Sequence, residues 1–145
     1  MLDDAIRERL TEEPGPLPAE VQARYRAALL AAGCSEAKHA SFIEFVAVFG
    51  DEHHGRYGTL ADLGQDLCAL EDGEDSVAGF LWSEGVPRRF LPLTSLETEA
   101  YFLYDTGDDS VVLVEDGSLP RLLAGDVDQR WPSFDAFLAG FFDLE

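Results

Sequence analysis

In the first half of the chain, hydrophobic positions recur at helical spacing. Leu2, Ile6 and Leu10 stand at i, i+4 and i+8 within charged surroundings, which predicts a short helix over 2–12. Pro14-Gly15-Pro16 breaks it. Pro18 suits the first turn of a second helix, whose apolar stripe is Val21, Tyr25, Leu29 and Ala32 and whose end is Gly33. Ser35 is a good N-cap for a third helix carrying Phe42, Phe45, Val46 and Phe49. Residues 51–58 form a polar loop, and Leu60, Leu63, Leu67 and Leu70 fit a fourth helix that Gly64 weakens.

After the acidic turn 71–75 the pattern changes. Short apolar runs at 77–82, 90–93, 101–104 and 111–114, separated by turn residues, predict strands. Pro92 restricts the second of these to a sheet edge, and Pro120 does the same for a short strand expected at 121–124. The segment Asp105-Thr106-Gly107-Asp108-Asp109 has the length of a hairpin loop, and Asp116-Gly117 marks another turn. Ser133 caps a final helix with Phe134, Phe137, Leu138 and Phe141 on one face. Helices come first, then consecutive hairpins, then a closing helix. That order predicts an α+β fold: an antiparallel sheet of about four to six strands packed against the N-terminal helices and the C-terminal helix. Residues 1–16 form a charged helix or arm and 17–145 a single domain.

Charge narrows the partners. The 145 residues hold 10 Lys plus Arg against 29 Asp plus Glu, a net charge of −19. Neither a phosphate backbone nor an anionic lipid surface attracts such a chain, so the expectation is no nucleic acid and no membrane. No apolar run approaches the about 20 residues needed to span a bilayer, and the charged start is unlike a signal peptide. A cytoplasmic protein with a basic macromolecular partner is expected. Cys34 and Cys68 are widely separated in apolar surroundings and predict two buried, reduced thiols. His53 and His54 are adjacent, so their side chains diverge, and spacing supplies no third ligand; no metal and no cofactor are expected.

Catalytic signatures are sparse. Leu103 to Leu113 resembles the Asp-Thr-Gly stretch of retroviral-type aspartic proteases, in which two carboxylates share a proton. Only 38 residues follow Gly107, and they hold neither the Gly-rich flap nor the later apolar-apolar-Gly strand of that family. No phosphate-cradling Gly-rich loop and no Gly-x-Ser-x-Gly elbow occurs. The chain is therefore expected not to be an enzyme, with an aspartic-type hydrolase centred on Asp105 as the lesser alternative.

The acids are distributed unevenly. Residues 1–72 hold 14 acids and 6 bases, residues 73–145 hold 15 and 4. From residue 71 onward they gather at predicted turns: Glu71, Asp72, Glu74 and Asp75; Asp105, Asp108 and Asp109; Glu115 and Asp116; Asp126 and Asp128. Alternate hairpin turns fall at one end of a sheet, so these clusters could merge into a negative rim that docks a cationic protein and speeds its association. Arg88 and Arg89 are an isolated basic pair, expected to be solvated.

Several blocks of text resemble the SUKH superfamily of bacterial toxin-immunity and cell-wall-regulator-like domains. They are Phe90-Leu91-Pro92-Leu93, residues 100–107, residues 110–117, and the ending Trp131-Pro132-Ser133-Phe134-Asp135-Ala136-Phe137-Leu138; upstream, Leu17-Pro18 leads a helix closing at Gly33. Residues 35–75 lie outside the matching text. The resemblance implies an α+β fold, no enzyme activity, and binding of a cognate toxin, often a nuclease whose basic cleft an acidic inhibitor would fill. A regulatory protein-interaction scaffold of the same fold is the alternative it leaves.

Overall fold

The computed structural model describes residues 1–98, 100–116 and 118–144. Gly117, half of the predicted Asp116-Gly117 turn, lies outside them. Helix α1 (Asp4–Glu12) is followed by α2 (Ala19–Ala31), α3 (Ala40–Ile43) and a π-helical turn, Glu44–Val48. A small hairpin, β1 (His53–Gly55) and β2 (Gly58–Leu60), leads into α4 (Leu63–Glu71) and α5 (Val77–Ser83). Then come β3 (Phe90–Pro92), β4 (Tyr101–Asp105), β5 (Ser110–Val114), α6 (Leu119–Leu123), β6 (Gln129–Trp131) and α7 (Phe134–Phe141). Strands β3-β4-β5-β6 form one antiparallel sheet in that order. The fold is α+β, and Pro92 does lie on an edge strand.

The helical half differs from expectation in two places. Ser35 caps only an isolated turn, its hydroxyl accepting from the Lys38 amide, and the third helix begins later, at Ala40. Residues 51–58 are not a plain loop: His53 and Leu60 pair in the β1–β2 hairpin. The arm is fastened down. Leu2, Ile6 and Leu10 are buried, and the Arg7 guanidinium donates to both Glu44 oxygens and to the Leu2 carbonyl. That paired, hydrogen-bonded carboxyl is held below its ordinary range, chiefly by the Arg7 bond.

Two runs expected as strands are helices. Residues 77–82 belong to α5, and 121–123 to α6, with Ala124 at its C-cap. A short apolar run does not distinguish a strand from a buried helix. The local signal lay in the preceding serine: Ser76 accepts from the Gly79 amide and Ser118 from the Arg121 amide, each as an N-cap. Strand β6 was missed because Gln129 and Arg130 are polar, exposed positions on a sheet edge.

These corrections explain the burial of the sheet. Every residue of β5 is buried, whereas a half-covered strand alternates. Leu91, Leu93, Phe102, Tyr104, Val111, Leu113 and Trp131 face the main core, shared with α1–α4 and α7. Leu103, Val112 and Val114 face the other way, onto Leu81 and Leu122 from α5 and α6. The main core is aromatic: Phe42 stacks on Tyr104 at 3.7 Å, and Phe134 meets Phe42 edge-on at 5.1 Å. Both cysteines are free and buried, and burial pushes the Cys34 thiol up to about 12.

Candidate functional site

The expected single rim does not form. In the β4–β5 hairpin Asp105 pairs with Ser110, while Leu113 pairs with Gln129. The turn carrying Asp105, Asp108 and Asp109 is therefore at one end of the sheet. Glu115, Asp116, Asp126 and Asp128 are at the other, about 16 Å away at ~3.3 Å per residue.

At the first end the carboxylates serve the turn. Asp105 is only 6% exposed; its Oδ1 accepts from the Gly107 amide and lies 3.4 Å from Arg89 Nε. Asp108 accepts from the Ser110 amide and hydroxyl, with Arg130 at 3.7 Å. Asp109 takes a left-handed backbone conformation at φ 59° and accepts from the Tyr104 hydroxyl. At the second end Asp116, Asp126 and Asp128 converge on Arg121 at 3.1, 3.1 and 2.9 Å, and Asp128 also accepts from the Glu115 amide. Those carboxylates hold the Arg121 guanidinium above its ordinary range, with the bond to Asp128 the largest cause. Arg88 and Arg89 are not merely solvated: each lies over a ring, Arg88 on Trp82 at 4.9 Å and Arg89 on Phe90 at 4.7 Å.

The α4–α5 turn is different. Glu71, Asp72, Glu74 and Asp75 are all exposed. Glu71 lines a shallow hollow with Trp82 and Arg88, whereas Glu74 and Asp75 line a groove against the β3 edge. The groove consists of two adjoining hollows of about 340 and about 600 Å³ that share Asp66, Asp75 and Val77. Asp51, Glu52 and Asp62 complete its acidic lining, and no Lys or Arg among the described residues lines either hollow. Its apolar lining includes Leu70, Val77, Phe80, Pro92 and Leu96.

Local capping chemistry builds this groove. Asp62 ends the coil before α4, accepts from the Gln65 amide and takes the Tyr25 hydroxyl at 3.0 Å. Asp66, one turn on, accepts from the Val77 and Ala78 amides at 2.7 and 3.1 Å, which ties the start of α5 to α4. Asp62 and Asp66 are thus structural. Glu74 and Asp75 have no ion-pair or hydrogen-bond partner for their carboxylates among the described residues, so they face the groove as free anions.

Sequence reasoning found Glu74 and Asp75 but missed Asp51, Glu52, Asp62, Asp66, Phe80 and Leu96. The Asp62-x-x-Gln65 spacing is a capping signature that could have located Asp62. Phe80 gives no signal in the sequence, because the apolar run 77–82 also fits a strand. His53 and His54 diverge: His53 is buried against Phe45 with its ring bonded to the Phe49 carbonyl, while His54 meets the Thr59 hydroxyl outside. Among the described residues no group of three or more His, Cys, Asp or Glu could hold a metal ion, and no helix is long and apolar enough to cross a membrane. In comparisons with known proteins, no family model, no curated protein and no solved structure matches the chain.

Proposed function

We propose that this chain is a non-enzymatic, acidic binding protein of the SUKH immunity type, which neutralises a basic toxin protein by covering its cationic cleft. The observation that carries the proposal is the groove beside β3, where the unpaired carboxylates of Glu74 and Asp75 meet apolar side chains and no Lys or Arg among the described residues lines the walls. A net charge of −19 adds long-range attraction for a cationic protein. The inward engagement of Asp105 favours this over a hydrolase, whose aspartate would have to face substrate.

Co-expression with the products of adjacent reading frames tests it. The expected result is a stable complex with one of them, relief of that product's toxicity, and an association rate that falls steeply between about 50 mM and about 0.5 M salt. Lack of a complex overturns the function. A complex whose association ignores salt overturns the electrostatic basis.

A further inference from the structure

We propose that the groove formed by α4, α5 and the loop after β3 seats a cationic segment of the partner that carries one bulky apolar side chain. The apolar side chain lies against Phe80 and Leu96, and the flanking Lys or Arg side chains reach Glu74 and Asp75. This rests on the binding-protein reading above and specifies where and how the partner docks.

Two independent features meet in this groove. The first is apolar exposure. Phe80 is 44% and Leu96 39% exposed, and both line the larger hollow beside Leu70 and Val77. The side chains come from separate elements, a helix and a loop, so their convergence produces a two-sided apolar slot. The second is uncompensated charge. At the two ends of the sheet Asp105, Asp108, Asp109, Asp116, Asp126 and Asp128 are engaged by arginines, hydroxyls or turn amides, whereas Glu74 and Asp75 at the groove are not.

The combination selects the occupant. A nucleic acid or an anionic membrane is repelled by these carboxylates. A second copy of the chain brings another −19. A bare cation satisfies the acids but leaves the apolar slot wet. A segment with both cations and an apolar anchor satisfies both, and interfaces concentrate their energy in such anchored, desolvated centres. The hollows fall within the ~300–1,000 Å³ typical of sites that enclose compact ligands, which suits one large side chain and its neighbours. The α4–α5 wall is braced within the chain, because Asp66 fastens the start of α5 to α4.

The test uses the whole chain and two labelled peptides of about ten residues: one of Lys and Gly with a central Trp and Leu, the other with Ser in place of Trp and Leu. Fluorescence anisotropy gives affinity, and amide shift changes give location. The expected result is about fivefold or greater preference for the Trp–Leu peptide, with shifts concentrated at 70–80 and 94–96. Phe80→Ser and Leu96→Ser should each abolish that preference while both peptides retain their charge-driven binding. Combined Glu74→Gln and Asp75→Asn should weaken both peptides and flatten their salt dependence, whereas Glu8→Gln with Glu12→Gln, on exposed positions of α1, should do less. Phe80 and Leu96 are exposed, so their variants should fold, and thermal melts check this. Equal affinity for the two peptides, shifts scattered over the surface, or shifts centred on Arg121 would each overturn the groove. The binding-protein reading fails separately, if no neighbouring product forms a complex. A complex that survives Phe80→Ser unweakened would leave that reading standing and remove this one.

Discussion

Gly64→Ala should destabilise the protein, although alanine is the better helix former. In a helix interior the exchange ordinarily stabilises by about 1 kcal/mol, an upper bound for Gly64, which is the second residue of α4. Here a Cβ on Gly64 would lie 2.2, 2.4 and 2.6 Å from the Tyr25 ring carbons Cδ2, Cγ and Cε2, well inside van der Waals contact. The ring has little room to retreat. Gly50 also packs closely against it, where a Cβ would be 3.0 Å from Tyr25 Cε2, and the hydroxyl is held by Asp62. Forcing a methyl into such a site costs about 1–3 kcal/mol, and displacing the ring adds about 1 kcal/mol for its hydrogen bond. Set against the propensity gain, the net loss is about 1–3 kcal/mol. At roughly 2–4 °C per kcal/mol for a chain near this size, the melting temperature should fall by about 2–12 °C. Thermal melts followed by circular dichroism measure it. Adding Tyr25→Leu to the Gly64→Ala chain should recover part of the loss, giving favourable coupling between the two changes. A Gly64→Ala protein that melts at or above the parent temperature, or a strictly additive double variant, would refute the close approach of α2 and α4.

Two further outcomes follow from buried titratable groups. Burial lowers the pKa of His53, whose folded form is the neutral ring bonded to Phe49. The stability it contributes is present above the unfolded value of about 6.5 and is lost as pH falls through the lower folded value, so His53→Gln should flatten the fall in melting temperature between about pH 7 and pH 5. An unchanged slope would place the titration elsewhere. Asp135 has the opposite sign: burial raises its carboxyl, Asp3 and Asp109 add to the rise, and its Oδ1 has no hydrogen-bond partner. Its favourable contribution is present below the unfolded value of about 3.9 and is lost as pH rises through the folded one. Asp135→Asn should therefore raise the melting temperature at neutral pH, with the gain fading below about pH 4; an equal gain at every pH would contradict it.

Much of the fold was legible because its elements announce themselves locally. The stripes Leu2-Ile6-Leu10 and Phe134-Phe137-Leu138-Phe141 and the strand runs at 101–104 and 111–114 satisfy period and burial together. Where the sequence misled, two structures shared one pattern. Leu81 and Leu122 could belong to a strand or to one turn of a helix; the apolar run alone does not separate the two, whereas the capping serines before each run and the tertiary place over Leu103 and Val112 do. The candidate site was less legible for a related reason. A count of turn acids does not distinguish Asp109, which holds the Tyr104 hydroxyl, from Asp75, whose carboxylate has no partner among the described residues. That difference depends on which arginines, hydroxyls and turn amides the folded backbone brings within reach of each carboxylate, some only two residues away, as Gly107 is from Asp105, and some farther, as Arg89 is.

The bond pair from Asp66 to the Val77 and Ala78 amides has a kinetic consequence. A receptor whose walls are already braced loses little freedom when a ligand arrives, so the ordering penalty falls almost wholly on the visitor. Encounter speed is then governed by net charge, much the same for any cationic visitor. Discrimination among visitors should consequently reside in residence time, with mismatched ones arriving as fast as the true one and leaving sooner.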